Sequence, residues 1–328
     1  VEGNTMTRYL ARRLLQMIPL LVFISLLSYM IAALAPGDPV NQYINPRKRP
    51  PTQEELAIIR HRYGLDRPVY VRYFIWMRDV LRGDWGYSMV SKDLVSNEVL
   101  TRLPQTILLS GVSLLFAIVL AIPLGVLSAV KRYSLIDYFL TFIAFVGISL
   151  PSFWFALLLV YLFSNTLGWL PSVGMTSVSG NLTGVEHALD VAKHLVLPVL
   201  ALGFSELAYW MRYQRASLLE NLQQDFVRTA RSKGLRESTV IWRHAFRNSL
   251  VTVVTLIGLS LPWLVNGSYI TESIFGWPGM GRLGITAIMS RDYPVVMMVT
   301  MLSALIVIIG NLVSDVLYAV VDPRTRFD

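Results

Sequence analysis

The sequence predicts an all-α, polytopic membrane protein with six transmembrane helices. Three observations carry the prediction. Of 328 residues, 54% are hydrophobic, above the roughly 45–50% of soluble domains. The excess is gathered into six long apolar runs. Many Lys and Arg residues stand at the ends of those runs, where cations anchor to headgroups and set orientation.

The runs are Leu14–Ala35, Ile107–Val130, Tyr138–Phe163, Leu195–Met211, Ser249–Val265 and Val295–Val321. A helix needs about 20 residues to cross the hydrocarbon. The fourth and fifth runs are short by that measure and extend into amphipathic flanks. Val1–Thr5, ahead of Met6, reads as an added leader and is set aside. No cleavable signal peptide is evident. Thr7–Arg13 reads as an interfacial helix leading into the first span, with its arginines facing headgroups. Three parts are expected: 6–35, the interfacial helix and first span; 36–102, a small extracytoplasmic helical subdomain; and 103–322, a core of five spans with a cytoplasmic helix near 224–235. Within 36–102, Pro50–Glu55 has helix-start composition. Tyr70, Tyr73, Phe74, Met77 and Leu81 recur at helical spacing. Pro123, Pro151 and Pro262 fall inside the second, third and fifth runs and should bend them.

With the N-terminus inside, residues 1–13, 131–135, 212–247 and the C-terminal tail carry 3, 2, 8 and 2 Lys or Arg. The short outer loops 165–194 and 268–294 carry 1 and 2. The 36–102 loop carries 11 but is too long to count. Both termini are therefore expected in the cytoplasm.

Several function classes are disfavoured. The net charge of +8 sits at membrane boundaries, which argues against nucleic-acid binding. There is no cysteine, and the four histidines show no pair at helical metal-ligand spacing, so no metal site is expected. No Gly-Lys dipeptide occurs, so there is no phosphate-cradling loop, and no catalytic residue is assigned. Ser128-Ala-Val-Lys131 matches a serine–lysine pattern by count, but its lysine stands where an anchor is expected.

The stretch Asp225-Phe-Val-Arg-Thr-Ala-Arg-Ser-Lys-Gly234 is a charged, helix-prone insert between apolar runs. Gly234 is a natural helix stop because it tolerates positive φ. The helix should expose Arg228, Arg231 and Lys233, with Ala230 and Ser232 small enough for a partner to approach. A solvated loop that merely sets orientation is the alternative.

This insert resembles the cytoplasmic signature loop of ABC-importer permeases. That pattern, a Glu-Ala-Ala triplet followed three residues later by Gly, is matched by Arg228, Thr229, Ala230 and Gly234 with two departures. The downstream Ile-x-Leu-Pro is replaced by His244-Ala-Phe-Arg247. The departures resemble the peptide-importer branch, as do Arg228–Gly234 and His244–Asn248 themselves. Pro36–Pro39, Tyr63–Pro68, Gly83–Ser88, Phe275–Gly281, Arg291–Val295, Asn311–Asp315 and Asp322–Arg324 extend the resemblance nearly end to end. The chain is thus similar to the dipeptide/oligopeptide permease family, in the subunit type with the long outer loop.

The resemblance implies the type I ABC importer permease fold and a multi-pass protein of a bacterial or archaeal cytoplasmic (inner) membrane. It implies one half of a peptide path, coupled through Asp225, Arg228, Thr229, Ala230, Arg231, Lys233 and Gly234 to a motor. The partners implied are a second homologous permease, two ATP-binding subunits and an extracytoplasmic substrate-binding protein. No cofactor belongs to this chain; ATP and Mg would sit on the partners. Related permeases import nickel complexes or oligosaccharides, and no motif excludes those cargoes. An ion-coupled secondary transporter is a further alternative, set against the lack of an internal repeat.

Glu206 lies within the fourth run. A charge there costs about 2.5–3.5 kcal/mol, so it must face a cavity or a partner. It is a candidate for the translocation path, with a structural hydrogen bond within the bundle as the other reading. Asp315 reads as a structural partner for inner-face arginines. Glu272 is placed near the outer mouth. Trp277, in a loop rich in glycine, is placed at that mouth or as a plain interfacial anchor.

Overall fold

The computed structural model describes residues 2–34, 52–62, 65–177, 182–260 and 268–321. Helix α1 is Glu2–Leu34, α2 Gln53–Arg62, α3 Val69–Leu81, α4 Val95–Val130 and α5 Leu135–Ser149. Helix α6, Ser152–Leu159, runs on as a π-helical segment, Val160–Thr166. Then come α7 Gly184–Leu222, α8 Asp225–Ser232 and α9 Phe246–Ser260, the last entered through a π-helical segment Val240–Ala245. Helices α10 Tyr269–Ile274, α11 Met280–Met289 and α12 Tyr293–Val321 follow. Among the described residues there is no strand, only an isolated antiparallel bridge between Tyr87 and Leu94.

Leu15–Leu34 of α1, all of α4, all of α7 and Tyr293–Ser314 of α12 are each long and apolar enough to cross a membrane. The pair Leu135–Ser149 and Ser152–Thr166 passes the same test together, bent by 107°. Among the described residues that makes four spans, or five with the bent pair as one, where the sequence predicts six. The fifth apolar run is described as the 15-residue α9; its remainder and Pro262 lie outside the described residues, as does Pro36–Pro39.

The expected bend at Pro151 is a break. The proline that follows disfavours the helical region at Leu150, and Leu150 leaves it at φ −78°, ψ 130°. Pro123 instead stays inside the 36-residue α4. Helix α7 has 39 residues, about 58 Å at 1.5 Å per residue. It outruns a hydrocarbon core of about 30 Å.

The chain divides into two compact units. The first comprises Val1–Leu10, Arg102–Arg282 and Ile306–Asp328. Its centre is α7, against which α5, α6 and α9 pack. Ala117 and Ala121 of α4, Ala144 of α5 and Ala208 of α7 are buried together around Trp210 and Met211. Small residues allow this proximity: a Cβ on Gly147 of α5 would stand 2.7 Å from Cβ of Ala208.

The second unit comprises Ala11–Thr101 and Leu283–Leu305. Helix α2 opens with a capping box: the Thr52 amide donates to Glu55 Oε2 at 2.8 Å, and the Glu55 amide donates to Thr52 Oγ1 at 3.3 Å. Tyr73 of α3 is buried against Tyr29 of α1, ring centroids 5.6 Å apart, and its hydroxyl pairs with Ser25 at 2.8 Å. Residues 83–94 fold onto buried Asp292, which accepts from the Ser88 hydroxyl at 2.5 Å and the Met89 amide at 3.0 Å. Two sequence motifs about 200 residues apart thus close on each other.

Candidate functional site: the α8 platform and the Glu272 clasp

Helix α8 sits at one end of the first unit. Its Schellman end follows from the sequence: Gly234 takes φ +73°, its amide donates to Arg231 O at 2.9 Å, and the Leu235 amide donates to Ala230 O at 3.4 Å. Val227 and Ala230, three apart and so on one face, are buried with Val126 and Ala129 of α4, Leu218 of α7, and Val240 and Ala245. This corrects one expectation. Ala230 does not offer a small exposed surface to a partner, because its spacing from Val227 turns it inward.

The opposite face is open. Asp225, Phe226, Arg228, Thr229, Arg231, Ser232 and Lys233 are all exposed. Arg228 approaches Asp225 at 3.5 Å, and the Thr229 hydroxyl donates to Asp225 O at 2.9 Å. Arg231 makes a two-pronged contact with Glu237, at 3.2 and 2.6 Å. That guanidinium holds the Glu237 carboxyl below its ordinary range and is itself pushed up by the pairing. Arg231 therefore also ties α8 to the segment that follows it.

Beside this platform lies an ion pair between a buried carboxylate and a partly exposed guanidinium, which sequence reasoning missed. Asp137 of α5 accepts from Arg215 Nε and Nη2 of α7, both at 2.8 Å, from the Ser128 hydroxyl of α4 at 2.5 Å and from the Tyr133 amide at 2.9 Å. Three helices are knotted at the end that carries α8. Ser128, noted for its serine–lysine spacing, is engaged in this knot.

Thr106 lies 23 residues before Ala129 in α4, about 35 Å away along the helix. There the second cluster forms. Glu272 of α10 is fully buried. It accepts from the Thr106 hydroxyl at 2.7 Å, the Ser268 hydroxyl at 2.7 Å and the Arg282 amide at 2.9 Å. Thr106 Oγ1 in turn accepts the Met280 amide at 2.8 Å. A Cβ at Gly279 would overlap the Glu272 carboxylate, which gives that glycine its reason. The Trp277 ring is fully buried with Leu109, Leu195, Val199 and Leu202, and its Nε1 donates to Gln105 O at 2.9 Å. Trp277 is thus a core residue of this unit and not an interfacial anchor. Glu272 and Trp277 clasp the 275–281 loop to α4 and expose no surface of their own.

Glu206 is half-buried on α7. The side chain of Asp315 lies outside the described residues.

Several membrane-length helices, with no strand among the described residues and a polar helix displayed at one end of the bundle, define a polytopic helical membrane protein. Comparison with known proteins places it. Residues 121–327 match the family described as binding-protein-dependent transport system inner membrane component. Residues 6–110 match the N-terminal part of such membrane components. The chain belongs to this family of membrane-embedded permease subunits. It is 42% identical to the oligopeptide transport system permease protein AppB of Bacillus subtilis, covering 98% of this chain and all of that one. It is 38% identical to the di/tripeptide transport system permease protein DppB of Pseudomonas aeruginosa, covering 98% of this chain and 99% of that one. It is 37% identical to the glutathione transport system permease protein GsiC of Salmonella typhimurium, covering 98% and 100%. Among solved structures, a chain of the inward-facing MetNI methionine ABC transporter superposes with a TM-score of 0.52 at 19% identity, covering 70% of this chain and 96% of that one. The fold is thus that of a type I ABC importer permease.

Proposed function

We propose that this chain is one membrane-spanning half of an ATP-driven importer of dipeptides and oligopeptides. The observation that carries the reading is the end-to-end likeness to curated peptide permeases, joined to an α8 that presents one face and is rooted by the other. A second, homologous permease supplies the other half of the path. Two ATP-binding subunits, which hold ATP and Mg, dock from the cytoplasm, and an extracytoplasmic binding protein delivers cargo. The distribution of Lys and Arg supports cytoplasmic termini and a cytoplasmic α8.

The coupling contacts are the exposed Asp225, Arg228, Thr229, Arg231 and Lys233, with Ala230 and Gly234 fixing the helix's seat and end. A push on α8 reaches α4 and α7 through Val227 and Ala230. It continues to α5 through Arg215 and Asp137. Rigid, well-packed elements of this kind move as bodies. ATP-driven closure of the motor then opens the outer side, and hydrolysis returns the inward-facing state. Glu206 lines the path, and the Glu272–Trp277 clasp holds the loop at its outer mouth.

The test is reconstitution of the co-purified assembly in proteoliposomes with its binding protein. ATP-dependent uptake of labelled peptides is expected. Uptake of sugars or nickel complexes in place of peptides, or uptake by this chain without any ATPase, overturns the reading.

A further inference from the structure

Helix α7 is the most enclosed long helix of its unit, yet one stripe of it stays partly open. The half-buried Glu206, Tyr209 and Tyr213 are followed by the exposed Ala216 and Glu220, spaced by three and four, so they share one face. The neighbours on the other faces, Leu207, Ala208, Trp210, Met211, Gln214, Ser217 and Leu218, are buried. A face left open toward lipid would be apolar. Here Glu206 and Tyr209 lie within the apolar run Leu195–Met211, where a carboxylate faces water, a ligand or a partner, and Tyr213, Ala216 and Glu220 continue the stripe past the C-terminal end of that run.

A carboxylate precedes an aromatic pair on this stripe, and a guanidinium stands beside the pair. Glu206 stands before it. The Tyr209 and Tyr213 rings lie tilted with centroids 4.6 Å apart. Arg212 is exposed, and its guanidinium lies over the Tyr213 ring, 5.9 Å from the centroid, so the cation sits beside a residue of the stripe. Six residues of helix separate Glu206 from Arg212, about 9 Å of rise. An extended tripeptide spans about 10 Å between its termini.

We infer that this stripe is the segment of the path that takes a short zwitterionic peptide: the α-ammonium group at Glu206, the backbone along the Tyr209 and Tyr213 rings, and the terminal carboxylate at Arg212. The inference rests on the peptide-import reading and adds which groups of the cargo are met and where. Carboxylate and phenol faces both attract an ammonium ion, and a guanidinium matches a carboxylate. The spacing favours two or three residues over long chains for simultaneous contact, while longer peptides engage one end at a time.

The experiment is a comparison of uptake rates in proteoliposomes for trialanine, N-acetyltrialanine and trialanine amide, in wild type, Glu206→Gln, Glu206→Asp and Arg212→Gln. The binding protein is the same throughout, so its own preference cancels when each variant is divided by wild type for one cargo. Glu206→Gln is expected to slow trialanine about tenfold and N-acetyltrialanine much less, because the charge it would lose contact with is already gone. Glu206→Asp restores most of the rate. Arg212→Gln gives the mirror result with the amide. Equal losses for all three cargoes, or no loss for any, overturn the inference, and so does a Glu206→Asp variant that assembles yet shows the Gln behaviour. A wild-type assembly that imports none of the three while importing another cargo overturns the peptide reading and this inference with it.

Discussion

Glu272→Ala removes one acceptor from three donors at once. The Arg282 amide cannot turn away, so its orphaned N–H alone costs about 1–3 kcal/mol. The Ser268 and Thr106 hydroxyls can rotate to other acceptors, but each gives up a bond to a charged group, at a net loss of about 1 kcal/mol apiece. The sum is about 3–5 kcal/mol. Glu272→Gln behaves differently. Both hydroxyls reach Oε1 and the amide reaches Oε2. A carboxamide with its oxygen toward Arg282 therefore leaves its NH2 toward the two hydroxyls. Those can turn to accept, since Thr106 Oγ1 holds only the Met280 amide in its other lone pair. Gln should cost about 1–2 kcal/mol, chiefly the lost charge assistance. The assay is the apparent melting temperature of the purified assembly in detergent, with protease cleavage within 275–281 as a local readout. A ranking of wild type above Gln above Ala is expected. An Ala variant as stable as wild type, or a Gln variant as damaged as Ala, refutes the clasp.

Val227→Asp places a carboxylate in the apolar seat of α8 and should abolish ATP-dependent uptake, whereas Val227→Ala, which removes two methyl groups' worth of packing, should cost about 1–2 kcal/mol and leave partial uptake; transport by the Asp variant at the wild-type rate would disprove the seat. Arg215→Ala leaves the buried Asp137 carboxylate short of its main partner and should destabilise by about 3–5 kcal/mol, partly recovered in the Asp137→Asn, Arg215→Ala double variant; the melting temperatures of the single and double variants check the coupling. Because the Glu237 carboxyl lies below its ordinary range in the folded chain, its pairing with Arg231 is present above that ordinary range and is lost as pH falls through the lowered value. Both groups are exposed, so Glu237→Gln should change stability by less than about 1 kcal/mol at neutral pH and trim the acid limb only slightly, readable in melting temperature against pH.

The helical architecture and α8 were legible because their signals are local. Apolar runs, a helix-prone charged stretch and a glycine stop are each contained within a few turns. The start of α2 shows in the composition of Pro50–Glu55 for the same reason, while the Thr52–Glu55 capping box itself is a finding of the structure. Ala230 was misdirected because exposure of a short helix depends on what lies beneath it, and Val126 and Leu218 come from distant segments. Pro151 announced a disturbance, but a bend and a 107° break share one sequence signal; the difference is set by packing on either side. The Glu272 clasp left almost no trace. Its donors sit 166 and 174 residues apart from their partners in the cases of Thr106–Glu272 and Met280–Thr106. Only the crowding of glycines at 276, 279 and 281 pointed to a close approach there. Trp277 was assigned by the usual taste of indole for interfaces, a tendency that tertiary burial overrides. Asp137 escaped notice because a carboxylate at the start of a helix already satisfies the local rule for helix ends.

The closure of the Ser88 loop on Asp292 also has a consequence in time. A growing chain emerges at about 5–20 residues per second, so residues 83–94 wait some tens of seconds for their anchor to be made. During that interval the Ser88 hydroxyl and the Met89 amide have no carboxylate to meet, and the segment must be kept from other partners. Chains halted before Asp292 should therefore leave this loop unanchored and more readily cut by proteases, while in full-length chains Ser88 is buried and the loop, though still largely exposed, is tied down. The contact that shapes the finished second unit can thus form only once synthesis has entered that unit's last segment, Leu283–Leu305.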